Sequence, residues 1–390
     1  MTAQNPGRTA AARVLHIITG LNTGGAETAL CRLLETLRSP AFEHIVVALG
    51  PPGSLSGRVG AAAELHHLRM NAARPRPADL WRLRRIVRMS APDVVHGWMY
   101  HANIAATLAT VGLGLPLVWG IRQSLDDLAK EKPLTRLVIG GGARLSRRPQ
   151  QILYNSAVSA RQHETAGYDA TRTRVIPNGF DTEVFRPDAA NRMRIRQQLA
   201  LPDDALLIGL VARVHPVKDH TNFLRAAGLF AADCPQAHFV LVGDGADADN
   251  PTLSGPISEM NLRNRVHLCG RRTDIQIIDA ALDIGSCSSR GEAFPNAIGE
   301  AMACAVPCVA TDVGDVSQII GDTGVVVPAS DAPALAAGWA RLAALGAPAR
   351  RVLGLRARQR IIERYSLAAV SGRYADLYTS LIHQTMIKQG

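Results

Sequence analysis

The chain has 390 residues, of which 47% are hydrophobic and 19% charged, and its formal net charge is +10. This composition excludes a disordered protein, and the length exceeds one ordinary hydrophobic core, so we expect two domains. Residues 1–183 hold 22 Lys and Arg against 13 Asp and Glu, whereas the rest of the chain is almost balanced. The first half is therefore predicted to meet an anion (phosphate, a lipid surface or nucleic acid), unless its surplus is an ordinary solvated basic face.

Short apolar runs in the first half alternate with amphipathic stretches. The runs predict buried strands, and the stretches predict helices that cross between them. The predicted strands are 14–18, 44–49, 94–98, 116–121, 151–156 and 174–177. We interpret the uncharged stretch 102–121 as a helix, a Gly-Pro break and a strand rather than as a membrane span. Residues 1–19 lack the pattern of a signal peptide.

A second series of the same kind follows a polar join at 180–194. Its predicted strands are 206–214, 238–245, 265–270, 283–289, 307–311 and 324–328. The predicted fold class is therefore α/β, with two facing, doubly wound, Rossmann-like domains and a ligand-binding cleft between them. We place the domains at 13–182 and 183–365, followed by a helical segment, 366–390, that could pack back on the first domain.

The six cysteines form no CxxC pair and no metal-binding spacing. Several lie in apolar runs, where a free thiol packs as a small hydrophobic group. We therefore expect a reducing compartment and a cytoplasmic protein, either soluble or peripheral on the inner face of the membrane.

Two loops that follow predicted strands suit phosphate groups. Gly24-Gly25 would let the backbone approach a ligand at the start of a helix, although a tight turn is the alternative. The pair is not the GxGxxG dinucleotide fingerprint. In the second half, Arg213 and Lys218 lie in one loop, where two cations can clamp a diphosphate and neutralise its charge as it leaves. Taken alone, this pair could also be solvated surface.

The segment 291–310 carries Glu292 and Glu300 on either side of Phe294-Pro295-Asn296. Pro295 suits the first turn of a helix, and the free amides of a helix start attract phosphate. Carboxylates on both sides of such an anion site fit a nucleotide sugar, in which sugar, diphosphate and ribose follow in line. The alternative is a capping acid followed by a surface glutamate.

Five motifs in this order resemble the retaining glycosyltransferases of family 4. They are GGAE at 24–27, IPNGFD at 176–181, the R-x4-K loop, LVGDG at 241–245 and Glu-x7-Glu. The resemblance covers residues 13–365 and implies a GT-B fold, with the acceptor on the first domain and a nucleotide-sugar donor on the second. It implies no metal and no cofactor besides the co-substrate, a UDP- or GDP-sugar. At Ala293 the family often has glycine, and the extra methyl group would narrow the sugar pocket.

The resemblance also implies the donor-site residues. It places Arg213 and Lys218 on the diphosphate, Glu292 on the sugar hydroxyls and Glu300 on the ribose. The remaining donor-binding residues would be Gly24 and Gly25, from across the cleft, and Phe294, Pro295 and Asn296.

The acceptor site is expected near the strand at 94–98, because many relatives carry a histidine there, close to the reacting sugar. His101, with Asn103 two residues later, is the better candidate. His96 lies on the strand itself, where a packing role is equally open. Arg122 leaves the next strand and could hold a phosphate or acid of the acceptor. The predicted catalytic residues are thus His101, Glu292, Arg213 and Lys218.

The amphipathic stretch 79–91 places Arg82, Arg85 and Arg88 away from an apolar side. Such a helix could dock on an anionic membrane surface, or it could present an ordinary solvated arginine face.

We therefore predict a hexosyltransferase-type enzyme that transfers a sugar to a glycan or lipid-linked acceptor in the biosynthesis of a surface polysaccharide such as lipopolysaccharide. Retention follows from the family alone. Since no side chain is an evident covalent nucleophile, we expect front-face attack assisted by the leaving diphosphate. An alternative is a nucleotide-sugar epimerase of the same fold, which would convert the donor without an acceptor. A nucleic-acid-binding protein is a poorer alternative, because 4% aromatic residues provide few stacking platforms.

Overall fold

The computed structural model describes residues 11–71, 76–125 and 133–389. The chain divides into two compact units. Unit 1 comprises Met1–Pro177 together with Val370–Gly390, and unit 2 comprises Asn178–Ala369. Residues 1–10, on which part of the signal-peptide prediction rests, lie outside the described residues.

The strands of unit 1 are β1 (Ala12–Ile18), β2 (Phe42–Ala48), β3 (Glu64–His67), β4 (Val94–Trp98), β5 (Leu117–Ile121), β6 (Gln151–Tyr154) and β7 (Thr173–Val175). They form a parallel sheet in the order β3-β2-β1-β4-β5-β6-β7. The crossover helices are α1 (Gly25–Thr36), α2 (Ser56–Ala62), α3 (Pro77–Ser90), α4 (Tyr100–Thr110), α5 (Pro133–Leu145) and α6 (Ala157–Thr165). The sequence-based interpretation of 102–121 is confirmed, because α4, a break and β5 follow one another there.

The strands of unit 2 are β8 (Leu206–Val211), β9 (Ala237–Val242), β10 (Val266–Leu268), β11 (Ile284–Cys287), β12 (Cys308–Thr311) and β13 (Val325–Val327). Their parallel order, β10-β9-β8-β11-β12-β13, is that of a dinucleotide-binding doubly wound sheet. The helices are α7 (Ala189–Gln198), α8 (His220–Asp233), α9 (Pro251–Glu259), α10 (Ile275–Ala281), α11 (Asn296–Ala303), α12 (Val316–Ile320), α13 (Ala332–Ala344) and α14 (Gly346–Tyr365).

Each sheet carries an apolar layer on both faces. In β1, Val14 and Ile18 enter one cluster, while Leu15 and Ile17 enter the other. Successive side chains of a strand point to opposite faces, so a strand covered on both sides must be apolar throughout. This requirement explains why nearly continuous apolar runs identified these strands in the sequence.

The last helix, α15 (Leu367–Gln389), packs into unit 1 from Val370 onward. Its buried apolar residues lie on one face of the helix and join the cluster around Val14 and Leu30. They are Val370, Tyr374, Leu377, Tyr378 and Leu381.

The structure differs from the sequence-based outline at two places. The boundary between the units lies after Pro177 rather than after 182, because Phe180 donates its amide to the carbonyl oxygen of Tyr365 and stacks on Phe294. Strand β3 was not predicted, since this edge strand has the polar, partly exposed sequence ELHH.

Of the helices described, none has both the length and the hydropathy needed to cross a bilayer.

Candidate active site

The strand order of unit 2 reverses between β8 and β11, which are neighbours in the sheet. Ligands of doubly wound sheets bind beside such a point, at the carboxyl ends of the strands. The loop after β8 contains Arg213 and Lys218, and the loop after β11 contains Glu292. Three predicted donor-site residues therefore lie at the switch point of unit 2.

The turn after β9 fixes the path of the loop after β8. Gly243 has a φ of 150°, and a Cβ atom at this position would overlap the carbonyl group of Ala212. Val214 then donates its amide to the carbonyl oxygen of Asp244 at 2.7 Å. The LVGDG motif thus needs its first glycine because the two backbones touch, and this contact positions the loop that carries Arg213.

Asp219 links the start of α8 to the neighbouring loop. It has a φ of 50° and accepts a hydrogen bond from the amide of Asn222 at 3.3 Å, which caps the helix. Its other carboxylate oxygen accepts from Arg290 Nε at 2.5 Å, in an ion pair whose carboxylate is buried. This pair holds the loops after β8 and β11 together.

Main-chain contacts strengthen the same junction. Ser288 Oγ donates to the carbonyl oxygen of Lys218 at 2.8 Å, and the amide of Arg290 donates to the carbonyl oxygen of Val217 at 2.7 Å. Lys218 lies at the end of a 3₁₀ turn, Pro216–Lys218, so its backbone is held on both sides. The backbone of Lys218 is therefore held at a defined position relative to the second loop.

Lys218 and Glu292 form an ion pair at this junction, from Nζ to Oε1. The same Oε1 accepts a hydrogen bond from Ser289 Oγ at 2.7 Å. The two side chains are 25% and 13% exposed, so water can still reach them while much of their surface is desolvated. A cation and a carboxylate with fixed positions at a strand end are suited to binding phosphate and hydroxyl groups side by side.

A third loop, after β12, supports the backbone of Glu292. Gly314 has a φ of 57°, and a Cβ atom there would overlap the carbonyl oxygen of Glu292. The amide of Asp315 donates to the carbonyl oxygen of Ala293 at 3.3 Å, and Thr311 Oγ1 donates to that of Ser289 at 2.6 Å. The segment from Ser289 to Ala293 is therefore enclosed by loops from neighbouring strands.

Helix α11 begins one residue later than the sequence indicated, with Pro295 as its N-cap. The first amides of this helix donate no hydrogen bond to a capping side chain. The side chain of Phe294 is buried and stacks on Phe180, so only its backbone is placed to contribute to the predicted donor site. Asn296 is exposed and accepts a hydrogen bond from Asn178 Nδ2 at 2.7 Å. The IPNGFD motif thus supports the start of α11.

Glu300 lies on α11 and is partly buried, while Arg213 is exposed in its loop. Asp279, on the neighbouring helix α10, was not singled out by the sequence analysis. It is buried, and neither carboxyl oxygen has a hydrogen-bond partner among the described residues. Burial, with a smaller contribution from the charge of Glu300, raises the pKa of Asp279 well above its usual value. The neutral, protonated form is therefore favoured.

Unit 1 has its own switch point between β1 and β4. Gly24 is the N-cap of α1, and a Cβ atom on Gly25 would meet no other atom within 4 Å. Between β4 and α4, Met99 has a φ of 71°, a strained conformation directly before α4, whose second residue is His101. His101 is exposed, yet the partial desolvation of its imidazole lowers its pKa from the ordinary value. Both predicted segments thus lie at the carboxyl ends of strands.

His96 and Asn103 do not fit the predicted acceptor role, because both are fully buried. His96 Nδ1 lies 2.8 Å from the hydroxyl oxygen of Tyr378, and its ring stacks on Trp98. Asn103 Nδ2 donates to the carbonyl oxygen of Gly120 at 3.3 Å. Both side chains therefore stabilise the packing of unit 1.

Arg122 follows β5 and is only partly buried. Its guanidinium donates to the hydroxyl oxygen of Tyr374 at 2.8 Å and lies over the ring of Trp98 at 5.7 Å. The predicted acceptor cation is therefore held against aromatic rings at the carboxyl edge of the sheet.

Within the described ranges, no group of three His, Cys, Asp or Glu residues is arranged to hold a metal ion. The six cysteines are free thiols, and all but Cys269 are buried. Sequence reasoning did not single out Ser288, Ser289 and Arg290, although their polar side chains directly after an apolar strand were a usable signal.

Two family models match the chain. A model of Glycosyltransferase Family 4 matches residues 23–184, and a model of Glycosyl transferases group 1 matches residues 205–344. Together they cover unit 1 from α1 to β7 and most of unit 2.

Two curated relatives illustrate the similarity. A D-inositol 3-phosphate glycosyltransferase of Stackebrandtia nassauensis is 29% identical over 251 residues, which are 59% of this chain and 55% of that protein. A UDP-Gal:alpha-D-GlcNAc-diphosphoundecaprenol alpha-1,3-galactosyltransferase of Escherichia coli is 34% identical over 148 residues, 37% of this chain and 38% of that protein. The matches thus span about half of the first relative and less of the second.

Among solved structures, that of Anabaena HepE in complex with UDP is similar to this chain with a TM-score of 0.81. The sequence identity is 21%, and the alignment covers 94% of this chain and 100% of HepE. At this identity the likeness concerns the fold.

Proposed function

Since this chain belongs to glycosyltransferase family 4 and is a glycosyltransferase with a GT-B fold, we propose that it transfers a sugar from a UDP- or GDP-sugar to a glycan or lipid-linked acceptor, with retention of the anomeric configuration. The reaction would use no metal and no cofactor other than this co-substrate. Biosynthesis of a surface polysaccharide or lipopolysaccharide, at the inner face of the membrane, is the proposed setting.

The observation that carries the proposal is the ion pair between Lys218 and Glu292 at the switch point of unit 2. When a donor binds, Lys218 would turn from Glu292 to a diphosphate oxygen, and Arg213 would add a second cation. Glu292 would then accept hydrogen bonds from the sugar hydroxyls. The exchange keeps Lys218 paired with an anion and Glu292 hydrogen-bonded, which limits the cost of desolvating these two charges.

The start of α11 completes the proposed phosphate site. Its first amides carry the partial positive charge of a helix N-terminus. Glu300, one turn further along α11, would accept from the ribose hydroxyls. A nucleoside diphosphate donor is supported by HepE, which was solved in complex with UDP and with UDP-glucose.

In the proposed transfer, the acceptor hydroxyl attacks the anomeric carbon on the face from which the diphosphate leaves. The C–O bond to the diphosphate breaks, the new glycosidic bond forms, and the hydroxyl proton passes to the leaving diphosphate oxygen. Arg213, Lys218 and the α11 amides stabilise the negative charge that develops on the diphosphate. His101 and Arg122 of unit 1 would orient the acceptor.

A lipid-linked acceptor is supported by two observations. The similar protein of Escherichia coli is named for an acceptor linked to diphosphoundecaprenol. In addition, α3 exposes Trp81 and Met89 beside Arg82, Arg85 and Arg88, a composition typical of helices that lie at a membrane surface.

The test is to incubate the protein with a panel of nucleotide sugars, without an acceptor and then with lipid-linked and soluble glycans. We expect slow hydrolysis of one donor alone and faster, retaining transfer when an acceptor is added. Conversion of the donor to its epimer without an acceptor would contradict the proposal, as would the absence of turnover with every donor.

A further inference from the structure

A largely apolar cavity of about 460 Å³ lies in unit 1, within the range of roughly 300–1,000 Å³ that is common for small-molecule sites. Its described wall includes eight apolar side chains from the strand ends and from α3, α4 and α5. They are Leu49, Met70, Leu80, Leu83, Ile104, Ala105, Leu108 and Val138. An apolar cleft of this size, partly open to solvent, has room for a small ligand or a chain.

The cavity has a polar end at the carboxyl edge of the sheet. Thr19 follows β1, Gly50 follows β2, and His101 lies in the first turn of α4 after β4, and all three line the cavity. Asn71 and Arg76 add polar groups to the described wall. A ligand in the cavity would therefore place a polar or anionic group near His101.

The opposite end lies between helices. Along α4, the lining residues are His101, Ile104, Ala105 and Leu108, which share one helical face because they recur at intervals of three and four. Leu80 and Leu83 line it from α3, and Val138 lines it from α5. These helices therefore border an apolar chamber beyond the polar edge.

We propose that this cavity binds the apolar chain of the acceptor, with the anionic group that carries the sugar held near His101 and Arg76. The inference rests on the proposed function and narrows the acceptor to one that carries a linear acyl or isoprenoid chain. The charge of Arg76 and the apolar wall between α3 and α4 favour a chain with an anionic head over a free glycan. The cavity also differs from the basic surface of α3, whose exposed arginines are not part of the lining.

The first test uses cis-parinaric acid, a fluorescent fatty acid, and its displacement by saturated fatty acids of 8 to 18 carbons below their micellar concentrations. We expect one probe molecule per chain and an affinity that rises by about fourfold for each methylene, until the chain fills the cavity and the affinity levels off. Absent or unsaturable probe binding would overturn the proposal, and so would an affinity that does not depend on chain length.

Variants of adjacent residues on α5 provide a matched comparison. Val138→Phe would fill the cavity from α5, whereas Leu137→Phe changes a side chain that is 73% exposed and does not line it. We expect Val138→Phe to weaken binding of the longest fatty acids at least tenfold and to shift the plateau to shorter chains, with Leu137→Phe unchanged. Ala105→Phe on α4 tests the same volume in case Val138→Phe does not fold. Equal binding by both cavity-filling variants and Leu137→Phe would overturn the proposal.

The second test separates this proposal from the proposed function. In Val138→Phe, hydrolysis of the donor should persist, and KM for a chain-bearing acceptor should rise at least tenfold while KM for its chain-free analogue stays constant. An equal rise for both acceptors would overturn the chain-binding role. If the wild-type protein turns over no donor, the proposed function fails, whereas the fatty-acid series still decides whether the cavity binds a chain.

Discussion

Lys218 and Glu292 form an ion pair although 74 residues separate them in the sequence, because β8 and β11 are adjacent at the switch point of unit 2. In the free protein, the residue proposed to bind the diphosphate, Lys218, is therefore paired with the residue proposed to bind the sugar, Glu292. Binding of a donor must therefore exchange one charge contact for another.

Removing either proposed diphosphate cation should lower the rate of transfer. We expect Lys218→Ala and Arg213→Ala each to reduce kcat by roughly 10²–10³, the effect of losing one preorganised electrostatic group. Arg341→Ala, which removes an exposed arginine near the end of α13, serves as the charge-matched control and should retain full activity. Steady-state rates at saturating donor measure the effect. Near wild-type rates in both site variants would exclude the diphosphate clamp.

The two glutamates should separate in calorimetry with a nucleoside diphosphate. Glu300→Ala should weaken binding by about 1.5–3 kcal/mol, since it removes hydrogen bonds between a charged group and the ribose. Glu292→Ala should not weaken binding, because it releases Lys218 for the diphosphate, yet it should abolish transfer. An equal loss of affinity in both variants would contradict this division of roles.

Most of the fold was predictable because buried parallel strands are apolar on both faces. Twelve predicted strands correspond to β-strands of the structure, and the missed one, β3, is a polar edge strand. The boundary near residue 180 was misplaced because a polar segment resembles a linker. In the structure, Asn178 donates a hydrogen bond to Asn296 of α11, and Phe180 stacks on Phe294, which precedes α11.

The site was predictable in part. The sequence places Arg213, Lys218 and Glu292 in loops that follow predicted strands. Since the carboxyl ends of parallel strands meet at one edge of a sheet, these residues were predicted to lie near one another. The ion pair itself was not predictable, because it depends on the adjacency of two strands that are distant in sequence. The choice between His96 and His101 also required the structure, because it depends on burial. His96 is buried on β4, whereas His101, five residues later on α4, is exposed. Asp279 gave no signal, because a single acid in an amphipathic helix is usually solvent-exposed.

Gly299 should be essential for the packing of α11. A Cβ atom at this position would overlap the ring of Phe180, which is fully buried. We expect Gly299→Ala to lower the free energy of unfolding by about 1–3 kcal/mol through overpacking. Urea unfolding provides the measurement. The double variant Gly299→Ala, Phe180→Leu should recover part of the loss, and a loss that the smaller residue does not reduce would contradict the steric explanation.

Unit 1 should lose stability in acid. Burial lowers the pKa of His16, His44 and His96 from the ordinary value, to about 3 for His96, where the charge of Arg122 adds to the effect. In the unfolded chain these imidazoles would take up protons near pH 6.5, so the unfolded state binds more protons than the folded state below that pH. The free energy of unfolding should keep its full value above about pH 6.5 and decrease as the pH drops toward 3. For one such histidine the decrease should be about 2–3 kcal/mol at pH 4.5.

Hydrogen exchange of β1 and β4 in urea, at pH 7.5, 6.0 and 4.5, measures this loss for unit 1. His96→Gln should lower stability at pH 7.5, because it disturbs the contact with Tyr378, but its decline with pH should be shallower. His383→Gln, on the exposed side of α15, is the control and should follow the wild-type decline. Identical declines in His96→Gln and the wild type would show that His96 does not cause the acid sensitivity.

The basic face of α3 should bind anionic vesicles. Trp81 is 62% exposed and Met89 is 71% exposed, and the guanidinium of Arg85 lies 5.8 Å from the centroid of the Trp81 ring. Replacing Arg82, Arg85 and Arg88 with glutamine should remove most of the binding, at about 1 kcal/mol for each charge near the surface. Co-sedimentation with phosphatidylserine vesicles measures it. Binding by the wild type should weaken from low salt to several hundred millimolar, because the Debye length falls from about 10 Å at 0.1 M to about 3 Å at 1 M.

The control for this variant removes three exposed arginines of unit 2, Arg263, Arg341 and Arg351, and therefore has the same net charge. It should bind vesicles like the wild type if the effect belongs to α3. In the α3 variant, donor hydrolysis should be unchanged because the proposed donor ligands Arg213, Lys218, Glu292 and Glu300 all lie in unit 2, and only transfer to a vesicle-embedded acceptor should fall. Binding that persists at high salt, or that both triple variants lose equally, would show that α3 carries an ordinary solvated arginine face.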